Sequence, residues 1–525
     1  MRIEPAPPRR WVSPLARLAM LLLACGWLLG PAQIARANSI TVTTASDTVI
    51  SGKCRLRDAI VAANTNTATN GCPAGAPGLD TITFNWGPVC HVILCSLVLN
   101  SSLPPVTDAL TIDGSGLNPI ISGAGLYRIF ALNAVAVDLT HLRLTNGQAD
   151  VGAGILLTGT TLTLNGLQFS NNHATNDGGA IYLSSGTVVI TNSSFLDNSA
   201  YFGGAIAQAG GALIIAGSSF STNSGGAGGA IGLIQTSRLA VTDSTFDGNS
   251  ASVWGGAIYL QDATVQASLA RSSFTNNQAT TTTFGYGGGA LFSGGALTLA
   301  DSTLANNVSN TEAGALEMSG GQVTVSNTTL TGNTARRFGG GILAFNDGLS
   351  HPAFLSLNNV TISGNTADVD NSADGDGGGV AMASGTLTVT NSILAGNFDT
   401  PNNSGAGLLQ PDCSGAVTAA QYTLVGRGDG CTGLVNGSNG NKVGTIANPI
   451  NPLLAALADN GGATQTQALL DGSPAFNAGN PLAPGSSGFA CAAADQRGVP
   501  RPLGLVCDMG AFEAGMRLYL PAIQK

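Results

Sequence analysis

Residues 169–181 read FSNNHATNDGGAI, and residues 195–206 read FLDNSAYFGGAI. Each stretch joins an aromatic residue, an Asn three positions later, and a Gly-Gly-Ala-Ile signature. The apolar-x-x-Asn pattern recurs nine times at steps of 25 to 32 residues, with Leu or Ile replacing Phe in later copies. Units of this length indicate a solenoid. The nine asparagines are Asn172, Asn198, Asn223, Asn249, Asn277, Asn307, Asn333, Asn365 and Asn397.

Short runs of alternating apolar residues, such as residues 187–190 and 297–299, predict strands with one buried face. Three strands and three turns fill about 26 residues, which is one coil of a right-handed, single-stranded parallel β-helix. Propeller blades usually need about 40 residues, so this alternative is disfavoured. We expect the apolar position to stack inside the coils. We expect the Asn column to form a structural ladder at a corner, with left-handed turn geometry at each Asn.

The two ends of the solenoid carry the cysteines of the predicted mature chain. Leu56, Ile60 and Ala63 fall on one face of a predicted helix that would cover the first coil. After residue 397 the repeats give way to a segment rich in Gly, Asn and Pro. An even cysteine count predicts disulfides, and the cysteines fall into four couples that are local in sequence. They are Cys54 and Cys72, Cys90 and Cys95, Cys413 and Cys431, and Cys491 and Cys507.

Composition and the first 37 residues indicate export. Arg9 and Arg10, an apolar run and Ala35-Arg36-Ala37 form a signal-peptide pattern, with the mature chain starting at Asn38. The alternative is a lipoprotein signal at Cys25. Charged residues make up 9% of the chain and the net charge is −9, so nucleic acid is not expected as a partner. No later apolar run is long enough for a transmembrane helix.

Three stretches resemble known families of exported bacterial proteins. Residues 54–60, CRLRDAI, are similar to the Cys-Ser-Leu-Arg-Glu-Ala motif, with Arg55 and Asp58 at the departing positions. The repeats resemble those of chlamydial polymorphic outer membrane proteins. Residues 457–464, LADNGGAT, and 495–498, DQRG, resemble the choice-of-anchor domain of type Q.

These resemblances imply a β-helix displayed outside the cell, with no established catalytic role. No autotransporter barrel sequence follows the repeats, and the end lacks an evident sorting tail. We therefore divide the chain into a signal peptide at 1–37, an N-terminal cap at 38–110, β-helix repeats at 111–400, a choice-of-anchor-like and disulfide-bonded C-terminal cap at 401–513, and a short tail at 514–525.

Two sets of charged residues are candidate sites. Asp243, Arg271 and Asp301 occupy the same position in three successive units, three residues before the apolar anchor. This column suits a salt-bridge ladder, or alternatively the acid and base groups of a polysaccharide lyase or glycoside hydrolase. Calcium is the one possible cofactor, through an acidic loop. That loop contains Asp368, Asp370, Asp374 and Asp376.

Aromatic residues stand close before several Gly-rich signatures and form a candidate binding ridge. They are Tyr201, Phe202, Trp254, Phe284, Tyr286 and Phe338. Exposed aromatic rings favour recognition of sugars or proteins, although packing beneath the corners is the alternative. We therefore expect a secreted or cell-surface scaffold or adhesin that binds polysaccharide or cell-surface proteins, with an enzyme of the pectin-lyase-like type as the alternative.

Overall fold

The computed structural model describes residues 38–91, 95–133, 136–282, 287–348, 351–369, 375–400, 411–486 and 488–515. The predicted signal peptide lies outside these ranges. The chain winds into a right-handed parallel β-helix in which each strand pairs in parallel with the equivalent strand of the next coil. Four sheets, numbered here in the order in which a coil visits them, run along the helix.

Sheet 1 contains the longest strands, and its inward side chains are apolar. In the strand Gly186–Thr191, Val188 and Ile190 are buried, and Val189 points outward. This alternation is why the short apolar runs predicted strands. The strands are Ser39–Val42, Asp80–Phe84, Leu110–Asp113, Val137–Thr140, Thr160–Asn165, Gly186–Thr191, Gly211–Ala216, Ser237–Thr242, Gln266–Ala270, Ala296–Ala300, Gly321–Ser326, Ala353–Asn358, Thr386–Thr390 and Ala419–Gln421.

Sheet 2 follows after a two-residue corner and carries the apolar anchors of the repeat. Phe169, Phe195, Phe220, Phe246 and Phe274 stack face to face in the interior, with ring centroids 4.5 to 4.8 Å apart. This spacing matches the separation of neighbouring strands, so each ring rests on the one before it. The strands are Ser96–Val98, Ile120–Ser122, Arg143–Thr145, Gln168–Ser170, Ser194–Leu196, Ser219–Ser221, Thr245–Asp247, Ser273–Thr275, Thr303–Ala305, Thr329–Thr331, Thr361–Ser363, Ile393–Leu394, Leu424–Val425 and Lys442–Val443.

Sheet 3 is short and was not expected, because three strands per coil were predicted. The residues just after each ladder Asn are extended long enough to pair with the next coil. Its strands are Ser224–Ala227, Ser250–Trp254, Gln278–Ala279, Val308–Ser309, Thr334–Ala335, Thr366–Ala367 and Phe398–Asp399. Two earlier strands pair separately, Gln148–Val151 with His173–Asp177.

Sheet 4 begins at the Ile of the Gly-Gly-Ala-Ile signature, and its apolar inward residues close the core. Its strands are Phe130–Asn133, Ile155–Thr158, Ile181–Leu183, Ile206–Gln208, Ile231–Leu233, Ile258–Leu260, Leu291–Ser293, Leu316–Ser319, Ile342–Phe345, Val380–Met382, Cys413–Ala416 and Cys431–Thr432.

The N-terminal end is closed by the α-helix Leu56–Thr65. Leu56, Ile60 and Ala63 are buried, and the helix contacts the first two strands of sheet 1. Arg55 and Asp58 form a buried ion pair at 2.5 Å. The two opposite charges neutralise each other beneath the cap. Two short 3-10 helices, Pro88–His91 and Ser438–Gly440, complete the regular structure of the described residues.

The C-terminal segment lies along the side of the solenoid. Thr303 in sheet 2 donates a hydrogen bond to the carbonyl of Gln465 at 2.6 Å, and Thr329 donates to Oε1 of Gln496 at 2.7 Å. The segment therefore covers the outer face of sheet 2 from the coil of Thr303 onward. We expected a cap that covers only the last coil. The segment instead also contacts earlier coils, beginning with that of Thr303.

The described cysteines form four disulfides in the sequence-local pairs. These are Cys54–Cys72, Cys90–Cys95, Cys413–Cys431 and Cys491–Cys507. Disulfides persist in oxidising compartments, which favours a location outside the cytosol. No helix in the described ranges is both long and apolar enough to cross a membrane.

Candidate functional site

The repeated asparagines form a buried column at the corner between sheets 2 and 3. From Asn172 to Asn365, the side-chain amide and the backbone N–H both donate to Oδ1 of the Asn one coil further on, as in Asn249 and Asn277. The amide's second proton goes to a carbonyl of the preceding coil, which for Asn249 is that of Phe220 at 2.9 Å. All the hydrogen-bonding groups of this column are thus turned toward neighbouring coils, which fits a structural role.

Two features of the column differ from the expectation. Left-handed geometry was predicted at the ladder Asn, but it occurs at the residue before it, for example at Asn276 with φ 56°. The column also ends in a carboxylate, because Asn397 donates to Oδ1 of Asp412 at 2.9 Å. Burial raises the pKa of Asp412 to about 6. Asp412 was not recognised in the sequence because Asp replaces the Asn of the pattern and follows Asn397 by only 15 residues, below the steps of the repeat.

The column of Asp243, Arg271 and Asp301 does not form one continuous ladder of ion pairs. Arg271 donates two hydrogen bonds to Asp243, at 2.8 and 2.7 Å, and both side chains are about half exposed. Asp301 accepts instead from the amide of Asn327 at 3.1 Å. The hydrogen bonds from Arg271 lower the pKa of Asp243, whereas burial raises the pKa of Asp301. All three charged residues have positive φ, so the column is a row of left-handed corners between sheets 1 and 2.

Only part of the predicted calcium loop belongs to the described residues. Asp370 and Asp374 lie outside them. Asp368 is buried and accepts a hydrogen bond from Thr400 at 3.0 Å, while burial and the charge of Asp368 raise the pKa of Asp376. Within the described ranges, no group of three or more His, Cys, Asp or Glu is placed to hold a metal ion. Calcium binding stays a prediction.

Only part of the predicted aromatic ridge is exposed to solvent. Tyr201 is 70% exposed, but Phe202 and Trp254 pack against the outer face of sheet 4. Phe338 packs further along the same face, against Leu343 and its neighbours. Phe284 and Tyr286 lie outside the described residues. Of the described aromatic residues before the Gly-rich signatures, Phe202, Trp254 and Phe338 therefore pack on sheet 4, whereas Tyr201 is exposed to solvent.

The outer face of sheet 4 has room for these rings because one of its outward columns of residues includes Gly232. Gly232, Tyr259 and Phe292 are register partners on successive coils. A Cβ on Gly232 would lie 2.7 Å from Cε1 of Phe202, so the missing side chain makes room for the ring. Tyr259 then meets Phe202 edge to face and Trp254 nearly face to face, with ring centroids 5.8 and 5.4 Å apart.

A groove of about 240 Å³ opens between these rings and solvent. Tyr201 and Trp254 stand on strands or turns two coils apart, so the groove runs across coils. Pockets for small molecules usually measure about 300–1,000 Å³, so this groove suits one residue of a longer ligand. We call it the aromatic groove; its main lining residues are Asp177, Tyr201, Phe202, Trp254, Tyr259 and Gln261.

Negative charge surrounds the aromatic groove. Burial and the charge of Asp150 raise the pKa of Asp177. Burial and the charge of Asp262 raise the pKa of Tyr259 to about 12, so its hydroxyl stays protonated. The groove thus combines aromatic faces with a carboxylate, a phenol and the amide of Gln261. These groups can stack on a ligand ring and exchange hydrogen bonds with it.

A buried acid that sequence reasoning missed continues the sheet 4 column beyond the rings. Glu317 is the register partner of Phe292 on one side and of Leu343 on the other. Its side chain is inaccessible, and neither carboxylate oxygen has a hydrogen-bond partner among the described residues. Burial raises its pKa well above the ordinary value, and the charge of Glu312 acts in the same direction. The sequence signal that could have identified this buried acid is a single Glu in the strand Leu316–Ser319.

The molecule is thus a right-handed parallel β-helix with an aromatic-lined groove on its side. The family model described as a right-handed beta helix region matches residues 128–330, which span the aromatic groove and most of the regular coils. The fold is that of pectin-lyase-like β-helix proteins. No curated protein matches the chain.

Proposed function

We propose that this protein is an exported, non-catalytic β-helix scaffold that binds carbohydrate in the aromatic groove. The observation that carries the proposal is the 70% exposed ring of Tyr201 beside Trp254 and Tyr259. Exposed aromatic faces bordered by hydrogen-bonding side chains suit the apolar faces and hydroxyl edges of sugars. The four disulfides and the signal-peptide pattern of residues 1–37 support export to the cell surface.

The charged column does not favour the enzymatic alternative. Acid and base catalysis needs groups that approach a bound substrate with suitable protonation states. Asp243 is tied to Arg271 in a half-exposed ion pair, and Asp301 is tied to Asn327. The aromatic groove lies at sheets 3 and 4, whereas this column lies between sheets 1 and 2. A scaffold is therefore the better supported function.

The test is a screen of the chain from Asn38 onward against polysaccharides, recording both binding and release of shorter products. We expect binding without products, and we expect Tyr201→Ala to abolish it. Leu126→Ala is the matched control, because Leu126 is 66% exposed and stands apart from the groove lining. Product release by the unmodified protein would instead establish a lyase or hydrolase. Loss of binding in both variants, or in neither, would remove the groove from the proposal.

Export has its own test. The small-x-small pattern at Ala35-Arg36-Ala37 predicts that the secreted protein starts at Asn38. N-terminal sequencing should find that residue. A lipid-modified Cys25 at the N-terminus would show a lipid-anchored protein instead.

A further inference from the structure

We infer that the aromatic groove selects sugars that carry free amino groups, so that its ligand is a cationic amino polysaccharide. This inference rests on the proposed carbohydrate function and specifies the substrate class of the same groove. The juxtaposition behind it is the partly buried carboxylate of Asp177 beside the exposed ring of Tyr201 and the packed rings of Trp254 and Tyr259.

The carboxylate of Asp177 is not neutralised within the described structure. Its backbone carbonyl accepts a hydrogen bond from Gly152, but no described residue donates to its side chain. The nearby carboxylate of Asp150 is held by the amide of Asn176 at 2.6 Å and adds a second negative charge. Two acids at one end of a small groove favour a ligand that brings positive charge.

Basic residues do not offset the acidic character of this end of the groove. The described lining of the groove contains neither Lys nor Arg. Arg128 acts electrostatically on Asp150, but its guanidinium donates to the carbonyls of Gly152 and Val151 at 3.1 and 2.9 Å. The guanidinium is therefore held by backbone carbonyls and not by a carboxylate, and Asp177, unlike Arg128, is among the residues that line the groove.

The aromatic rings add a second attraction of the same sign. A cation over the face of a Trp or Tyr ring is attracted by the negative face of the ring, more strongly where water is excluded. Trp254 and Tyr259 hold each other nearly face to face, and Tyr201 leaves its ring open to solvent. A protonated amine on a sugar ring meets Asp177 and these rings together, whereas an acetamide in the same place carries no charge.

The experiment compares two ligands whose amino groups are either free and charged or acetylated and neutral. Fully deacetylated and fully N-acetylated chito-oligosaccharides of equal length are titrated into the chain from Asn38 onward. The low-salt buffer is set to the highest pH at which the sugar amines are still largely protonated, because the raised pKa of Asp177 favours its neutral form at lower pH. We expect the amine form to bind about tenfold more tightly, which corresponds to one favourable charge contact. High salt should weaken the amine form alone, because screening acts on charge.

Variants locate the effect. Asp177→Asn should reduce the affinity for the amine form about tenfold and leave the N-acetylated form unchanged. Asp197→Asn is the matched control, since Asp197 lies at a corner beside sheet 2, where its carboxylate bonds to Thr222. Tyr201→Ala should weaken both forms. Thermal unfolding of each variant checks that the fold is retained.

Each remaining outcome separates the two ideas. Equal binding of both oligosaccharides, or tighter binding of the N-acetylated form, overturns the amino-sugar assignment and leaves carbohydrate binding standing. Polylysine of matched charge is a further competitor. If it competes with the amine form as well as unlabelled amine oligosaccharide does, that result also overturns the assignment, because the groove would then bind positive charge irrespective of the sugar. Failure to bind either form overturns the assignment, and the polysaccharide screen alone then decides the broader proposal.

Discussion

Asn249 and Asn277 are joined by two hydrogen bonds to a single acceptor. The backbone N–H and the side-chain amide of Asn249 each lie 3.0 Å from Oδ1 of Asn277. Both residues are fully buried. The other amide proton of Asn249 is donated to the carbonyl of Phe220. One interior Asn of the ladder therefore forms hydrogen bonds with the coils on both sides of its own.

Replacing Asn249 by Ala should destabilise the protein by about 1–3 kcal/mol. The change removes the buried acceptor of the backbone N–H and side-chain amide of Asn223, and it removes one donor to the Phe220 carbonyl, which is the costly case for a hydrogen bond. Chemical denaturation followed by circular dichroism measures the loss. Asn133→Ala is the control, because Asn133 is exposed at the end of a sheet 4 strand. Equal losses in the two variants would refute the structural role of the ladder.

Arg271→Asn should change stability by less than about 1 kcal/mol. An exposed ion pair such as that of Arg271 with Asp243 contributes about 0–1 kcal/mol. Asn is chosen because Arg271 has φ 47°, a geometry that Asn tolerates better than Ala. Thermal unfolding at low and high salt is the measurement, and any loss should shrink at high salt. A large salt-independent loss would argue against a surface ladder.

Glu317→Gln should make the stability of the protein less dependent on pH above about 4.5. The folded-state pKa of Glu317 is raised, so its stabilising contribution is complete below the unfolded value near 4.5 and is lost as pH rises through the folded value. Gln cannot ionise, so the stability difference between variant and unmodified protein should grow in favour of the variant as pH increases. Unfolding midpoints across this range provide the measurement.

Glu317→Leu complements this test, since Leu343 is the next side chain in the same column. It should also stabilise the protein at neutral pH, by removing two unpartnered oxygens from an apolar setting. A parallel pH dependence in all three proteins would show that Glu317 does not titrate in this range.

Gln496→Ala should loosen the C-terminal segment without unfolding the coils. The amide of Gln496 donates to the hydroxyls of Thr303 and Thr464 at 2.9 Å, and its oxygen accepts from Thr329. Limited proteolysis should cut the segment after residue 450 faster in this variant. Gln465→Ala is the control, because that side chain is exposed. Unchanged protection would mean that the segment is held mainly elsewhere.

The repeat was predictable because parallel coils bring equivalent residues into register. Phe220 and Phe246 had to stack once their separation matched one coil, and the same reasoning aligned Asn223 with Asn249. The sequence also showed the helix at Leu56 and the local cysteine couples, since these depend on short-range spacing.

Contacts between distant segments were not predictable in this way. The groove combines Tyr201 with Trp254, which belong to different coils and different positions of the repeat. Thr303 and Gln465 are 162 residues apart, in a repeat and in a segment without one. Asp412 ends the Asn column after a separation of 15 residues from Asn397, outside the range of the preceding steps. Periodicity gives no information about such partners.

The lateral C-terminal segment also determines how the molecule would carry mechanical load. A pull applied to this segment reaches the side of the solenoid through Gln496 at the coils of Thr303 and Thr329, and through Asn359 and Asn391 further along. These attachments lie on several coils, so tension is shared between them and does not fall on the final strand alone. Unwinding from the C-terminal end would first require this strap to be peeled from sheet 2, one coil after another.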